Sequence, residues 1–80
     1  MFMHYVYILR LRDLRYYVGY SSDLKNRIKE HRRGGVRATR LFRPLDLVFY
    51  ASFLNKKKAL SFETYLKSSS GTAFRNKRLI

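Results

Sequence analysis

The chain reads as an α+β fold: a small three-stranded, largely antiparallel sheet flanked by helices, in the order β-β-α-β-α, with a further short helix at the end. Three observations carry this reading. Two tyrosine-rich, β-prone segments stand a hairpin loop apart near the start, and a third β-prone segment begins only at Leu45. The stretches that follow the second and third of these segments open on Ser, Asp or Asn. Both then carry apolar residues at helical spacing.

The elements follow in order. His4 to Leu9 alternates aromatic and aliphatic residues and reads as a strand. Arg10 to Arg15 is polar, contains Asp13 and suits a hairpin loop, and Tyr16 to Tyr20 is β-prone again. Side chains alternate faces along a strand, so Tyr5, Tyr7 and Leu9 share one face and Val6 and Ile8 the other. On the second strand Tyr17 shares a face with Gly19. An in-register hairpin brings Tyr7 and Tyr17 side by side. Ser21-Ser22-Asp23 supplies N-cap residues for a helix carrying Leu24 and Ile28, and Gly34-Gly35 ends it.

Residues 34–44, with Arg37, Arg40, Arg43 and Pro44, read as a basic loop. Leu45 to Leu54 is the third strand, although its place in the sheet is not legible. Asn55 caps a second helix with the apolar stripe Ala59, Phe62 and Leu66, Ser68 to Gly71 breaks it, and Thr72 to Ile80 is expected to form a short basic helix.

Eighty residues without repeat or linker make one domain, 1–80, and a chain this short buries only about 60–65% of its unfolded surface. An apolar share of 46%, with seven Tyr and six Phe, is ample for a folded core. The absence of cysteine excludes a disulfide framework and a thiolate zinc site. Two histidines and five acids disfavour a histidine-rich metal centre. No apolar stretch approaches a membrane span and no secretory leader is visible, so the expectation is a soluble, cytoplasmic protein.

The charge is the informative quantity. Eighteen Lys and Arg against five Asp and Glu leave +13, a field that repels itself in a compact fold and is best explained by a polyanionic partner. Nucleic acid is favoured over an anionic membrane, because the cations are not gathered on one amphipathic helix with a broad apolar face. Taken singly, the candidate functional residues have ordinary explanations. Tyr7 and Tyr17 could be sheet packing. Arg27 and His31, at i and i+4, could be a solvated helix face, and Glu63 could be a surface partner of Lys67 in the favourable i, i+4 order.

Taken together and in order, Tyr5-Val6-Tyr7, Tyr17-Val18-Gly19, Arg27, His31 and Glu63 resemble the GIY-YIG nuclease family, in its small stand-alone bacterial type. The resemblance covers about residues 4 to 67. It departs in having Tyr5 for the first glycine and valine for both isoleucines. Asn76 stands thirteen positions after Glu63, in the neighbourhood of an asparagine that some members carry.

The resemblance implies a metal-dependent endonuclease hydrolysing phosphodiester bonds in DNA rather than RNA, selecting by DNA structure in repair or recombination. Glu63 would be the ligand of one Mg²⁺ (or Mn²⁺), Tyr7 the general base and Tyr17 its positioning partner. Arg27 would clamp the phosphate and His31 assist proton movement. A phenol is a poor base at its ordinary pKa of about 10, and Arg27, the metal and the positive field are expected to draw it toward phenolate. Arg32, Arg33, Arg37, Arg40 and Arg43 would form the nucleic-acid approach. A partner protein or a homodimer would supply specificity. The alternatives are a non-catalytic basic nucleic-acid-binding module of the same fold and a small basic protein of a ribonucleoprotein particle.

Overall fold

The computed structural model describes residues 2–80. Strands β1 (His4–Arg10) and β2 (Tyr16–Ser21) form the expected hairpin. They are followed by helix α1 (Leu24–Arg33), a 3₁₀ turn (Arg40–Phe42), strand β3 (Asp46–Phe53), and helices α2 (Lys56–Lys67) and α3 (Ser69–Arg78). The sheet order is β2-β1-β3 with both pairs antiparallel, so β1 is the central strand. This supplies the position of the third strand.

The sheet is covered on both sides. Val6, Ile8 and Val18 point to one face and pack with Ala59 and Leu66 of α2, with Phe53, Phe62 and Leu79 at the margin. Tyr7, Leu9 and Leu11 point to the other and pack with Ile28 of α1 and with Leu45. The pairing of β1 with β3 shifts between Ile8 and Leu9, so that Ile8 faces Phe49 and Leu9 faces Leu47. The extra residue, Val48, lets both Val48 and Phe49 join the α2 side while Leu47 stays on the α1 side.

The caps act as their residue types suggest. Asp23 accepts the Asn26 amide at 3.2 Å and Asn55 accepts that of Lys58 at 3.1 Å. Gly34 closes α1 in the left-handed region, φ 85°. Two expectations need correction. Residues 34–44 are not wholly loop, because Thr39 to Phe42 tighten into a 3₁₀ turn. The break after α2 is confined to Ser68, whose hydroxyl caps the next helix by accepting the Gly71 amide at 3.1 Å, so α3 starts at Ser69 rather than Thr72. Gly71 reads as a breaker in sequence but acts by size. A Cβ there would stand 1.6 Å from the Tyr65 carbonyl oxygen, so only glycine lets α3 fold back onto the end of α2.

Candidate active site

Tyr7 sits at the centre of the sheet, 1% exposed, and its cross-strand partner is Gly19. A Cβ on Gly19 would lie 2.4 Å from the Tyr7 Cζ and hydroxyl oxygen. The bare glycine is what allows the phenol to lie across β2, and a methyl group there would displace the ring. Tyr17, paired with Leu9, is the diagonal neighbour on the same face, with ring centroids 6.4 Å apart and planes inclined by 38°. The expected side-by-side arrangement of Tyr7 and Tyr17 is thus present, with Gly19 as the space that creates it.

Helix α1 brings His31 onto both rings, edge to face, at 5.5 Å from Tyr7 and 5.3 Å from Tyr17. His31 is fully buried, so the reading of positions 27 and 31 as a solvated face fails for it. Its Nε2 is 2.8 Å from the Tyr7 hydroxyl and its Nδ1 2.8 Å from Thr39 Oγ1. The result is a buried Thr39–His31–Tyr7 chain. With the proton on Nδ1 the ring donates to Thr39 and accepts from Tyr7. Burial, and secondarily the Arg27 charge, hold the His31 pKa down to about 4, so the ring is neutral at physiological pH.

Thr39 was not among the sequence candidates. It lies in the basic stretch with no periodic or motif signal, and only the 3₁₀ turn carries its hydroxyl into the interior.

Arg27 remains partly exposed and pairs with Glu30 at 3.6 Å, i to i+3 on α1. Its guanidinium is also close enough to Tyr7 to act on the phenol's ionisation. The pull of Arg27 toward phenolate, expected from sequence, is present but outweighed. Burial raises the Tyr7 pKa above its ordinary value, and the neighbouring Tyr17 and Glu63 add to this, while Arg27 pulls down without winning. Desolvation dominates because the ring is almost wholly enclosed. Tyr7 is therefore a neutral phenol in the free protein.

Glu63 projects from α2, which packs across β1 and β2, and its charge is felt at Tyr7. Its side chain is 18% exposed, and Oε2 receives the Lys67 ammonium at 3.2 Å. The sequence-level alternative of a Lys67 pair is therefore real, but on a largely enclosed carboxylate. Among the described residues no group of three His, Cys, Asp or Glu side chains stands together to hold a metal. A lone hard carboxylate does not fit a structural zinc site. It does fit Mg²⁺ or Mn²⁺, which keeps most of its waters and completes its shell on substrate phosphate.

Arg32, Arg33, Arg37, Arg40 and Arg43 are all exposed. Arg43 is also committed internally. It donates to the Arg40 carbonyl at 2.9 Å and the Arg32 carbonyl at 3.2 Å, tying the basic stretch to the end of α1 over Gly34. Asn76 is exposed on α3. Among the described residues no helix is long and apolar enough to cross a membrane.

Comparison with known proteins bears on the family and the fold. The family model described as the GIY-YIG catalytic domain matches residues 3–78. The UPF0213 protein YazA of Bacillus subtilis is 38% identical over 65 residues, covering 80% of this chain and 66% of that protein, so the chain spans just under two thirds of that relative. A UPF0213 protein of Clostridium perfringens is 44% identical over 66 residues, 81% of this chain and 71% of that one. The solution NMR structure of a UPF0213 protein from Bacillus halodurans superimposes with a TM-score of 0.61 at 36% identity, covering 94% of this chain and 83% of the other.

Proposed function

We propose a nuclease, and the premise is that this chain belongs to the GIY-YIG catalytic domain family. In this reading it is an endonuclease that hydrolyses phosphodiester bonds in DNA with Mg²⁺ or Mn²⁺. The observation that carries the reading is the Tyr7 hydroxyl. It is buried and 2.8 Å from a neutral His31 ring, with Arg27 and Glu63 both acting on it electrostatically. A structural core tyrosine needs none of these charged neighbours.

Attack on a phosphodiester needs a water deprotonated, phosphate charge neutralised and a leaving oxygen stabilised. Arg27 grips non-bridging phosphate oxygens with its planar fork. The anion that binds there offsets the Arg27 charge that helps hold the His31 pKa down, so substrate makes His31 a better proton acceptor. With Nδ1 donating to Thr39, Nε2 receives the Tyr7 proton as the phenol oxygen takes a proton from the attacking water. A free phenolate need not accumulate, which answers the raised pKa of Tyr7; as the water oxygen bonds to phosphorus the P–O bond to the leaving oxygen breaks, and that oxygen takes its proton from solvent. Tyr17 walls the site and orients the water. Glu63 would hold the metal ion, which when bound supplies Lewis-acid charge neutralisation at the phosphate. Lys67 must then leave the carboxylate. The exposed arginines would guide the DNA backbone, and DNA structure, a partner protein or a second copy would supply selectivity in repair or recombination.

The pairing of Glu63 with Lys67 favours a second reading, a basic nucleic-acid-binding module without catalysis. One experiment separates the two. Oligonucleotide and plasmid substrates are incubated with Mg²⁺, Mn²⁺ or a chelator, using the parent and Glu63→Ala. The nuclease reading expects metal-dependent nicking by the parent, its loss in Glu63→Ala, and retained DNA binding by both. Equal cleavage by parent and variant would remove Glu63 from the mechanism, and no cleavage by the parent would favour the binding module.

A further inference from the structure

The sheet face that carries Tyr7 continues beyond it into a groove of whose lining the proposed hydrolysis uses only Arg32. Tyr5 shares that face by strand alternation, and the antiparallel register sets Tyr50 of β3 directly opposite Tyr7. Tyr5 and Tyr50 meet diagonally, ring centroids 6.4 Å apart and planes inclined by 60°. Across from them, Lys25, Lys29 and Arg32 form a stripe on α1 at i, i+4 and i+7. On the helix the Leu24/Ile28 stripe separates these cations from the Arg27/His31 stripe. The groove and the candidate active site therefore lie on opposite flanks of α1, over one sheet face.

The groove is open to solvent and offers about 570 Å³, within the range of ligand sites. Its one acidic lining residue, Asp23, is already engaged, since Oδ1 accepts the Asn26 amide at 3.2 Å and Oδ2 the Asn26 side-chain nitrogen at 2.8 Å. Besides Ser22 and the aliphatic Leu24, Ile28 and Leu47, the rest of the lining is aromatic and cationic. Tyr50, on the edge strand β3, is 55% exposed, so its ring is open to a ligand. Aromatic faces beside three cations match an unpaired nucleotide, whose base stacks while its phosphates meet the charges. The bases of an intact duplex are already stacked on one another and cannot present a face to Tyr50.

We propose that this groove is a binding subsite for an unpaired stretch of the DNA strand, with a base on Tyr50 and the adjoining phosphates on Lys25, Lys29 and Arg32. The nuclease reading enters only in making this the strand that is cut, because the groove binds whether or not Tyr7 takes part in cleavage. The substrate class that follows is DNA with single-stranded character next to the scissile phosphate.

The test is fluorescence anisotropy on the full chain in chelator. The probes are a labelled oligothymidylate of about 12 nucleotides, a length a small single-strand site can engage, and a blunt duplex of equal length. Tyr50→Ala is expected to weaken oligothymidylate binding about 5- to 150-fold, with duplex binding changed less than twofold. Tyr50→Phe, which keeps the ring, binds like the parent. Lys29→Ala lowers the salt slope on the single strand by about 0.7. Undiminished oligothymidylate binding by Tyr50→Ala, or an equal loss on duplex, overturns the proposal. Tyr50 is too exposed for its loss to unfold the domain, and matching thermal melts verify this. Failure of the parent to cleave with metal sinks the nuclease reading alone and leaves these binding results standing.

Discussion

Val6 and Tyr7 are neighbours on the central strand, equally buried, and they point to opposite sides of the sheet. On the Val6 side, Ile8, Val18, Ala59 and Leu66 make a cluster whose fully buried members are apolar and whose stabilisation comes from area removed from water. On the Tyr7 side the interior also holds His31 and Thr39, and each polar atom of the chain finds its partner at 2.8 Å. A polar chain of this kind contributes little net stability and is costly when a member is removed. The contrast teaches a division of labour. The α2–α3 face holds the sheet together, and the α1 face keeps ionisable groups in a low-dielectric setting where their pKa values move.

A crossed pair of substitutions tests that division most severely. Tyr7→Phe removes the hydroxyl and should lower metal-dependent cleavage by about 10²- to 10⁴-fold, while stability falls only about 1–3 kcal/mol because His31 Nε2 is left unpartnered. Leu66→Ala should lose about 2–5 kcal/mol of stability and keep its turnover per folded molecule. Steady-state cleavage below each variant's melting transition reads both. If Leu66→Ala impairs turnover as much as Tyr7→Phe, the faces are not separable.

Acid tests the division further, because the α1 face holds a fully buried histidine, His31. His31 has a folded pKa of about 4 against an ordinary 6.5, so the unfolded chain binds the proton more readily. Stability is thus full above pH 6.5, is lost as pH falls through the window to 4, and levels off below it. The loss amounts to roughly 3 kcal/mol. Urea midpoints at pH 7, 5.5 and 4 should track it in the parent and flatten in His31→Gln. A flat parent profile would show that the ring is not held neutral by burial.

The smallest effect separates shape from hydrogen bonding. Thr39→Val keeps the volume but strands His31 Nδ1, for about 1–3 kcal/mol. Ile8→Val on the dry face leaves a methyl-sized void, for about 0.5–1.5 kcal/mol. Thr39→Ser should recover most of the loss. Equal melting temperatures for Thr39→Val and the parent would remove Thr39 from the chain.

Much of the fold was legible because local rules and global packing agree. The Tyr5 to Tyr20 hairpin, the Asp23 and Asn55 caps, the Gly34 terminus and the Ala59–Phe62–Leu66 stripe all follow from side-chain types and spacing. Gly71 misled because glycine breaks a helix and permits close approach with the same missing Cβ, and only the approach of α3 to α2 decides which. Tyr7, Tyr17, Arg27, His31 and Glu63 were singled out by their order along the chain, and the structure brings the two tyrosines and His31 into contact, with the charges of Arg27 and Glu63 felt at Tyr7. Thr39 was not singled out, because a threonine's hydroxyl carries no signal until a distant turn buries it.

Residue types and their spacing were enough for the three strands and the helices, their order, the two faces of β1 and β2 and the positive field, since these depend on neighbours one to four residues away. Tertiary structure alone decided that β3 pairs with β1, that Gly19 makes room for the Tyr7 ring, and that His31 is buried against Thr39. It also set burial against the expected pull of Arg27 on Tyr7 toward phenolate. Charges along the chain count the same wherever they sit, but desolvation depends on how completely a group is enclosed, and enclosure exists only once helix and sheet have met.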